Sequence, residues 1–301
     1  MPPRPAVSVV IPARNEERWL PRALASLRRQ TFLDFEVLVV DDGSSDGTAA
    51  MVCAAAEADP RVRYLRNDGV GFVAALNTGI ARSAGALIAR LDADDASLPR
   101  RLERQVAEYA RNPRLAALGT YGWRVNERGL RVGGLRIGPC GREGYRRLLA
   151  EDGDVVLTHS SVTFRRDAAE AVGGYEPDFH PADDFRLWNR LLVHGEVYAL
   201  PDRLTLYTLR SGSMSETQAE LMLWQVCRAS ADRRERLPLD GGGAVPQLTT
   251  AQRSWAARAS TRRRLARALV NGRVSEGMQI LRSDQVSWQE MRRMIARVGG
   301  R

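Results

Sequence analysis

Four short apolar runs, each rich in aliphatic residues, alternate with segments of helical periodicity along the first hundred residues. The runs occupy residues 7–11, 35–40, 62–67 and 85–91. Between the first two, apolar residues start at Leu20 and recur three, four and seven positions later, the pattern of an amphipathic helix that Asn15 is predicted to cap. Strands alternating with helices predict an α/β fold, with a mostly parallel sheet covered on both faces.

The pattern changes twice after the first hundred residues. Residues 113–215 show strands at 117–125, 155–164 and 203–209, for which we expect mixed or antiparallel pairing. Residues 216–301 are arginine-rich with helical periodicity, interrupted by a glycine-rich break at 239–246. We therefore predict one domain over 1–215, with halves 1–110 and 111–215, followed by a helical C-terminal region over 216–301.

The composition excludes several classes of protein. No run reaches the roughly 18 apolar residues of a membrane span. All 45 basic residues are arginine, which excludes a phosphate-binding loop ending in lysine and Schiff-base chemistry on lysine. The dispersed Cys53, Cys140 and Cys227 predict buried, reduced thiols rather than disulfides or a zinc site. The N-terminus does not fit a secretory signal, so we expect a cytoplasmic protein.

Two clusters of acidic residues follow predicted strands. Asp41 and Asp42 end the second run, and Asp92, Asp94 and Asp95 follow the fourth. Ligands of parallel sheets bind at the carboxyl ends of the strands, so both clusters should share one rim. Helix capping accounts for one acid at each place, but not for five. Carboxylates this close raise one another's pKa unless a cation lies between them, so they either point to solvent or hold a metal ion.

The order of these blocks resembles the family 2 glycosyltransferases of the GT-A fold. The blocks are VSVVIPARNEE, FEVLVVDDGSSDGT and NDGVGFVAALNTGIARSAGALIARLDADD, and the resemblance covers about residues 7–215. It implies a GT-A-like, Rossmann-type sheet with a nucleotide-binding half at 1–110 and an acceptor half at 111–215. It also implies inverting transfer of a sugar from a nucleotide diphosphate donor, with a UDP-sugar expected, to an acceptor hydroxyl.

The same resemblance implies which residues hold the donor nucleotide. They are Pro12, Ala13, Arg14, Glu16, Asp41, Asp42, Gly69, Asn77, Asp92 and Ala93. Asp42 is expected at the uracil edge, where a carboxylate would accept a hydrogen bond from an N–H of the base. Arg14 stands where the family often has an aromatic residue, and its planar guanidinium is able to stack on a base.

The metal motif of the family, Asp-x-Asp, falls on Asp92 and Asp94. A hard divalent cation takes oxygen ligands and is held by one or two carboxylates together with substrate phosphates. The resemblance therefore implies Mn²⁺ or Mg²⁺ as cofactor, with Asp94 as the direct ligand. Asp92 would lie nearer the ribose, and Asp95 would support the site.

The general base of the family belongs to an acidic pair that opens a helix before an aromatic residue and Leu-Trp. The matching stretch here is ADDFRLWNRL, which makes Asp184 the predicted base. Asp183 would raise the pKa of that base or hold the acceptor. Taken alone, the pair also fits an ordinary helix N-terminus, where acidic side chains interact favourably with the helix dipole.

Three further residues are implied at the acceptor and diphosphate site. His159, in the stretch THSSVTFRR, is expected at its floor, although a lone histidine in a strand is also typical of a packed structural residue. Trp188 is expected beside it. Arg210 replaces the histidine of a later family block, read here as YTLRSGSMS, and is predicted to pair with phosphate oxygens.

Other functions explain less of the sequence. Residues 69–74 match the G-x-G-x-x-A pattern of an NAD-dependent oxidoreductase, but the dinucleotide fingerprint belongs to the first βα turn. A nucleotidyltransferase would need a basic, glycine-rich loop after the first strand, and a glycosidase would leave Asp41 and Asp42 unexplained. We expect a nucleotide-sugar donor, a glycan, lipid-linked or small-molecule acceptor, and no nucleic acid. The arginine-rich C-terminal helices predict peripheral contact with the inner face of a membrane.

Overall fold

One nine-stranded sheet forms the framework of the protein. The structure, a computed structural model, describes residues 4–211 and 213–234. The strands are β1 (Val7–Ala13), β2 (Phe35–Asp41), β3 (Val62–Arg66), β4 (Leu87–Arg90), β5 (Ala96–Ser97), β6 (Leu115–Val125), β7 (Arg131–Leu135), β8 (Thr163–Arg165) and β9 (Glu196–Thr208). The helices are α1 (Leu20–Arg28), α2 (Thr48–Ala58), α3 (Phe72–Arg82), α4 (Arg101–Arg111), α5 (Gly141–Ala150), α6 (Arg166–Ala171), α7 (Asp183–Arg190), α8 (Met214–Thr217) and α9 (Ala219–Arg234).

The sheet is parallel in its first half and mixed in its second. The strand order is β3-β2-β1-β4-β8-β6-β9-β5, and β7 pairs with β6. The strands β3, β2, β1 and β4 run parallel, whereas β8 is antiparallel to both β4 and β6, and β5 is antiparallel to β9. The predicted α/β class is confirmed, as is the mixed pairing after residue 113. The carboxyl ends of β1, β2 and β4 therefore share one rim.

Apolar clusters cover both faces of this sheet. Successive side chains of a strand point to opposite faces. Accordingly, Val9 of β1 belongs to a cluster with Leu24 of α1 and Val52 of α2. The next residue, Val10, belongs to a cluster with Leu76 of α3 and further residues of α6 and α7. The four apolar positions predicted for α1 are all buried.

Gly79 allows α3 to pack closely against β1. A Cβ atom at Gly79 would lie 2.3 Å from Cγ1 of Val10, a stiff β-branched side chain in the core. Alanine favours a helix over glycine by about 1 kcal/mol, but overpacking a core costs typically about 1–3 kcal/mol. We expect Gly79→Ala to lower the free energy of unfolding in urea, and the same substitution to stabilise a Val10→Ala background. A more stable Gly79→Ala single variant would contradict this packing argument.

Three local predictions are wrong. Asn15 does not cap α1, because its side-chain oxygen accepts a hydrogen bond from the Ser45 N–H at 2.8 Å, and α1 begins only at Leu20. The predicted strand at 155–164 is reduced to β8 and a 3-10 turn, His159–Ser161. In this turn the Ser160 hydroxyl bonds Asp92, and the Ser161 hydroxyl accepts from the Thr120 N–H of β6. The cysteines are not buried: Cys53 and Cys140 are exposed, and Cys227 is half-buried.

The chain divides into two compact units. Within the described residues, the first comprises 4–123, 135–178 and 183–207, and the second comprises 124–134, 179–182, 208–211 and 213–234. In the second unit, the guanidinium of Arg228 in α9 lies 4.3 Å from the ring centre of Phe179. The predicted domain boundary after residue 215 stays a prediction, since these units are defined by contacts and not by function.

The C-terminal region is described only as far as Arg234. The helix α9 matches the first of the predicted arginine-rich helices, and those predicted beyond it lie outside the described residues. Within 4–211 and 213–234, no helix is long and apolar enough to cross a membrane.

Candidate active site

The ends of β1 and β2 bring the first predicted nucleotide contacts together. Ala13 is level with Asp41 in the sheet, and the Asp42 N–H donates to the Ala13 carbonyl at 2.8 Å. Pro12 precedes Ala13 in the same strand and is level with Val40. The structure therefore brings these residues together at the carboxyl ends of the two strands.

The loops that follow β1 and β2 are bonded to each other. The Glu16 N–H donates to the Thr48 hydroxyl at 2.9 Å, and the Gly47 N–H donates to the Glu17 carboxylate at 2.9 Å. Glu16 itself is buried. These bonds fix the chain that follows Arg14, whose own side chain is 62% exposed.

Asp41 is held by its own loop and by β3. One carboxylate oxygen accepts from the Ser44 N–H at 3.0 Å and from the Ser44 hydroxyl, and the other accepts from the Tyr64 hydroxyl at 2.8 Å. Burial, together with this bond to Asp41, raises the pKa of Tyr64 to about 12. Tyr64 thus stays protonated and donates a hydrogen bond to the Asp41 carboxylate.

Asp42 holds the loop that leads into α3. Its oxygen Oδ1 accepts from the Asn67 amide and from the Gly71 N–H, both at 3.0 Å. The Arg14 guanidinium is 4.0 Å from the other oxygen. Gly69 lies close to the chain that follows β2. A Cβ atom added to Gly43 would lie only 3.0 Å from the backbone nitrogen of Gly69. The carboxylate of Asp42 therefore links the rim, the exposed Arg14 and the loop at Gly69.

Asn77, in α3, faces a backbone segment rather than the ends of β1 and β2. Its side-chain nitrogen donates to the Tyr175 carbonyl at 2.8 Å, and its side-chain oxygen accepts from the Tyr175 N–H at 2.9 Å. These paired bonds use the amide group to position Tyr175, which lies next to His159.

Asp92, which follows β4, is bound at both carboxylate oxygens. Arg90 donates to Oδ1 at 2.6 Å, and the Ser160 hydroxyl donates to Oδ2 at 2.7 Å while accepting from the Asp92 N–H at 2.8 Å. Burial opposes ionisation here, but the charge of Arg90, with His159 and Ser160, keeps the pKa of Asp92 below its ordinary value. The sequence analysis missed Arg90 and Ser160 as partners of this acid.

Two buried guanidinium groups interact electrostatically with the acid cluster. Arg90 and Arg101 are 1% and 0% exposed. Arg101 donates to the Arg90 carbonyl at 2.7 Å and to the Ser97 hydroxyl at 3.0 Å. Burial, and next the charge of Arg90, lower the pKa of Arg101 to about 9. Such a pair is tolerated only beside compensating negative charge, which Asp92 and Asp95 supply.

The residues at the end of β4 fit a divalent cation that binds together with substrate phosphates. Asp94 is half-buried, and its carbonyl accepts from Arg22 at 2.8 Å, while Ala93 and Asp95 are buried. Within the described residues, no group of three or more metal-binding side chains is arranged to hold an ion alone. One carboxylate completed by phosphate oxygens and water is a typical Mg²⁺ or Mn²⁺ arrangement.

His159 is packed among aromatic side chains. Its Nε2 is 2.9 Å from the Tyr175 hydroxyl, and its ring centre is 5.8 Å from that of Trp188 and 6.4 Å from that of Phe72. Trp188 is fully buried. Trp188 therefore packs beneath His159, in the core cluster, rather than at the surface of the site.

Asp183 and Asp184 open α7. Asp183 is buried, whereas Asp184 is half-buried and accepts from the Phe185 N–H at 2.7 Å. Burial, and next the negative charge of Asp183, raise the pKa of Asp184 to about 7, with a further contribution from Asp92. A carboxyl with this pKa can take up a proton near neutral pH.

Arg210 belongs to the second compact unit. It follows β9 and is half-buried. The predicted pairing of Arg210 with phosphate oxygens stays a prediction.

Comparisons with known proteins agree on one family. The model of the family described as "Glycosyl transferase family 2" matches residues 8–173. The putative glycosyltransferase EpsE of Bacillus subtilis (strain 168) is 30% identical over 247 residues, which cover 78% of this chain and 84% of EpsE.

Two solved structures share the fold. The mannosyltransferase PcManGT from Pyrobaculum calidifontis, in complex with GDP-Man and Mn²⁺, gives a TM-score of 0.60 at 19% identity and covers 98% of this chain and 86% of its own. S. aureus TarS 1-349 in complex with UDP-GlcNAc gives 0.59 at 16% identity, with coverages of 94% and 91%. With its mixed sheet, its acidic rim and a family model that spans more than half of its length, the chain belongs to glycosyl transferase family 2 and has the GT-A fold.

Proposed function

We propose that this family 2 glycosyltransferase moves a sugar from a nucleotide diphosphate donor to an acceptor hydroxyl with inversion. The proposal rests on one observation. A half-buried carboxyl, Asp184, whose pKa is raised to about 7, lies within the electrostatic reach of Asp92, which follows β4. A base and a cation-binding acid cluster on one rim are what a direct displacement at an anomeric carbon requires.

The donor nucleotide is assigned to the ends of β1 and β2. Asp42 would accept a hydrogen bond from an N–H of the base. Its oxygen Oδ2 already accepts one from the Gly71 N–H at 3.1 Å and retains lone pairs for a second donor. Arg14 is exposed and would stack on the base. Pro12, Ala13, Glu16 and Asp41 would shape the ribose and base pocket, with Gly69, Ala93 and Asp92 closing it. A UDP-sugar is our first choice of donor, although the structural neighbours bind GDP-Man in one case and UDP-GlcNAc in the other.

Asp94 is assigned as the ligand of Mn²⁺ or Mg²⁺, together with the donor phosphates. When bound, the cation would supply positive charge to the departing nucleoside diphosphate. Asp92 is held by Arg90 and Ser160, so its task would be to orient the ribose and the backbone of the Asp-x-Asp turn. In this assignment the chain contributes one carboxylate ligand, and the donor phosphates contribute the others.

The acceptor hydroxyl would lose its proton to Asp184. The acceptor oxygen forms the new bond to the anomeric carbon while the bond to the diphosphate breaks, and the proton moves to a carboxylate oxygen of Asp184. His159 and Tyr175, joined at 2.9 Å, would line the floor beside the acceptor. Asp183 would keep the pKa of the base high.

The activity of the free enzyme should depend on pH through Asp184. A base acts only when it is deprotonated, so kcat/KM should rise with pH through an apparent pKa near 7. Asp183→Asn removes a like charge, and the rising limb should move to lower pH. The measurement is the pH profile of UDP release for both proteins. A limb that stays in place in Asp183→Asn would contradict this electrostatic coupling.

Isothermal titration of UDP and GDP, with and without Mn²⁺, tests the proposed donor. We expect micromolar binding of UDP with Mn²⁺ and at least about tenfold weaker binding without it, as a phosphate-bridged cation requires. Binding of GDP in place of UDP would change the assigned base. Binding of neither nucleotide would contradict the proposed function.

The acceptor class and the cellular place stay predictions. A glycan, lipid-linked or small-molecule acceptor in polysaccharide or glycoconjugate synthesis remains our expectation, at the cytoplasmic face. The predicted membrane contact through the arginine-rich C-terminal helices depends on residues 235–301, which lie outside the described residues. A salt-sensitive association with anionic liposomes would support it, and no association at low salt would contradict it.

A further inference from the structure

A cavity of about 660 Å³ opens beside the carboxyl end of β6. It is lined by Tyr121, Arg136, Cys140, Pro201 and Arg203. All five residues belong to the first compact unit. None of them is among the residues assigned above to the donor, the metal or the base.

Two guanidinium groups line this cavity, and neither forms an ion pair within the described residues. Arg136 is exposed, and Arg203 stacks on the ring of Trp123 at 4.1 Å. Neither lies within 4.0 Å of a carboxylate in the part of the chain that the structure describes. By contrast, Arg114 and Arg142 both bind Glu196. Two positive charges facing one cavity repel each other, and an anion between them removes the repulsion.

The other cavity residues suit the same ligand. The phenol of Tyr121 contributes a hydroxyl group, and burial together with the Cys140 thiol raises the pKa of Tyr121. The phenol therefore stays protonated and can donate a hydrogen bond. Guanidinium groups bind phosphate and carboxylate through paired hydrogen bonds, and stacking on an aromatic ring fixes the plane of Arg203.

The register of the sheet relates this cavity to the proposed catalytic rim. Ala89 of β4 and Leu118 of β6 both pair with Thr163 of β8, so the two strands run in the same direction in matching register. Tyr121, three residues after Leu118, therefore lies towards the same edge of the sheet as Asp92, which follows β4. Two strand spacings separate β4 from β6, which corresponds to about 10 Å. A sugar bound at the rim spans about half of that distance and leaves its substituents near the cavity.

We propose that this cavity binds an oxyanion carried by the acceptor, a phosphate or a carboxylate attached to the acceptor sugar. The inference rests on the proposed function for its link to transfer. It assigns an anionic acceptor to this enzyme, recognised by Arg136 and Arg203 at a place separate from the donor diphosphate. The acceptor hydroxyl would then be presented to the rim at a fixed distance from its charged group.

Titration of the whole protein with glucose 1-phosphate, glucuronate and neutral glucose tests the cavity directly. The titrations are run with and without saturating UDP and Mg²⁺. We expect roughly millimolar binding of one or both anionic sugars and none of glucose in that range. A preference for glucose 1-phosphate identifies phosphate, and a preference for glucuronate identifies carboxylate. The double variant Arg136→Gln/Arg203→Gln should bind at least tenfold more weakly. The control variant Arg146→Gln removes one positive charge from the exposed face of α5 and should bind like the wild type.

Cysteine alkylation locates the bound anion. Cys140 lines the cavity, whereas the exposed Cys53 lies in α2 and is an internal control. The anionic sugar should slow the reaction of Cys140 with iodoacetamide, measured by mass spectrometry, and should leave the rate at Cys53 unchanged. This protection should disappear in the double variant.

Several outcomes would overturn the inference. They are an absence of saturable binding, equal affinity in the wild type and the double variant, equal protection of Cys53, and displacement of the anionic sugar by UDP. The last result would make the cavity part of the donor site. Failure of UDP to bind the wild type would instead contradict the proposed function, while the sugar titrations would still decide whether the cavity takes an anion.

Discussion

Asp184→Asn is expected to lower kcat about 10³-fold, within the range that a general base contributes. The amide keeps the shape of the carboxyl group but cannot take the proton of the acceptor. The donor site at β1 and β2 is untouched, so the affinity for UDP should stay within about twofold. Release of UDP from the donor, with a sugar or with water as acceptor, provides the rate, and calorimetry provides the affinity.

The same variant should gain stability while it loses activity. The pKa of Asp184 in the folded protein, about 7, is above its unfolded value, so its contribution to stability is complete in acid and is lost as pH rises through 7. Asp184→Asn should therefore melt at a higher temperature than the wild type at pH 8, with a smaller difference at pH 5. Glu170→Gln, an exposed acid in α6, is the matched control and should change neither property. A kcat within tenfold of the wild type would exclude Asp184 as the base.

The acidic rim could be foreseen because parallel strands place their carboxyl ends at one edge. The runs that became β2 and β4 are each followed by acidic residues, and the register of β1 with β2 puts Ala13 beside Asp41. The acids that follow these strands in the sequence thus predicted the position of the candidate site. Asp184 was predicted only through the resemblance to family 2 glycosyltransferases, because an acidic pair at the start of a helix also fits a plain helix N-terminus.

The partners of those acids could not be foreseen in the same way. Periodicity tells which face a residue occupies, but not which distant side chain it meets. Ser160 bonds Asp92 across 68 positions of chain, and Asn15 bonds the next loop instead of capping α1. One signal was available: Arg90 stands in an apolar strand run, and a charged residue there must find a counter-charge.

Trp188 shows the limit of carrying roles over by resemblance. The Leu-Trp of α7 follows the acidic pair in the motif, yet the ring of Trp188 is fully buried against His159 and Phe164. Its size and apolar surface make it a packing residue. In this structure Trp188 therefore supports His159 from within the core.

Asp94→Asn is expected to abolish the effect of Mn²⁺ on UDP binding. An amide is a poorer ligand for a hard cation than a carboxylate, so the affinity for UDP in Mn²⁺ should fall to the value measured without metal. Loss of several kcal/mol of charge stabilisation would lower kcat/KM by about 10²–10³-fold. Stability should change little, because Asp94 is only half-buried. Asp34→Asn, at the opposite end of β2 and exposed, is the control.

Asp92→Asn should behave differently, although both acids belong to one motif. Arg90 is almost fully buried and is bound to Asp92, so removal of the carboxylate leaves a buried guanidinium without its counter-charge. We expect a loss of roughly 3 kcal/mol in the free energy of unfolding, together with a residual response of UDP binding to Mn²⁺. The two acids would then have separate tasks, with Asp94 binding the cation and Asp92 neutralising Arg90. If both variants lost the metal response equally and neither lost stability, that division of tasks would be wrong.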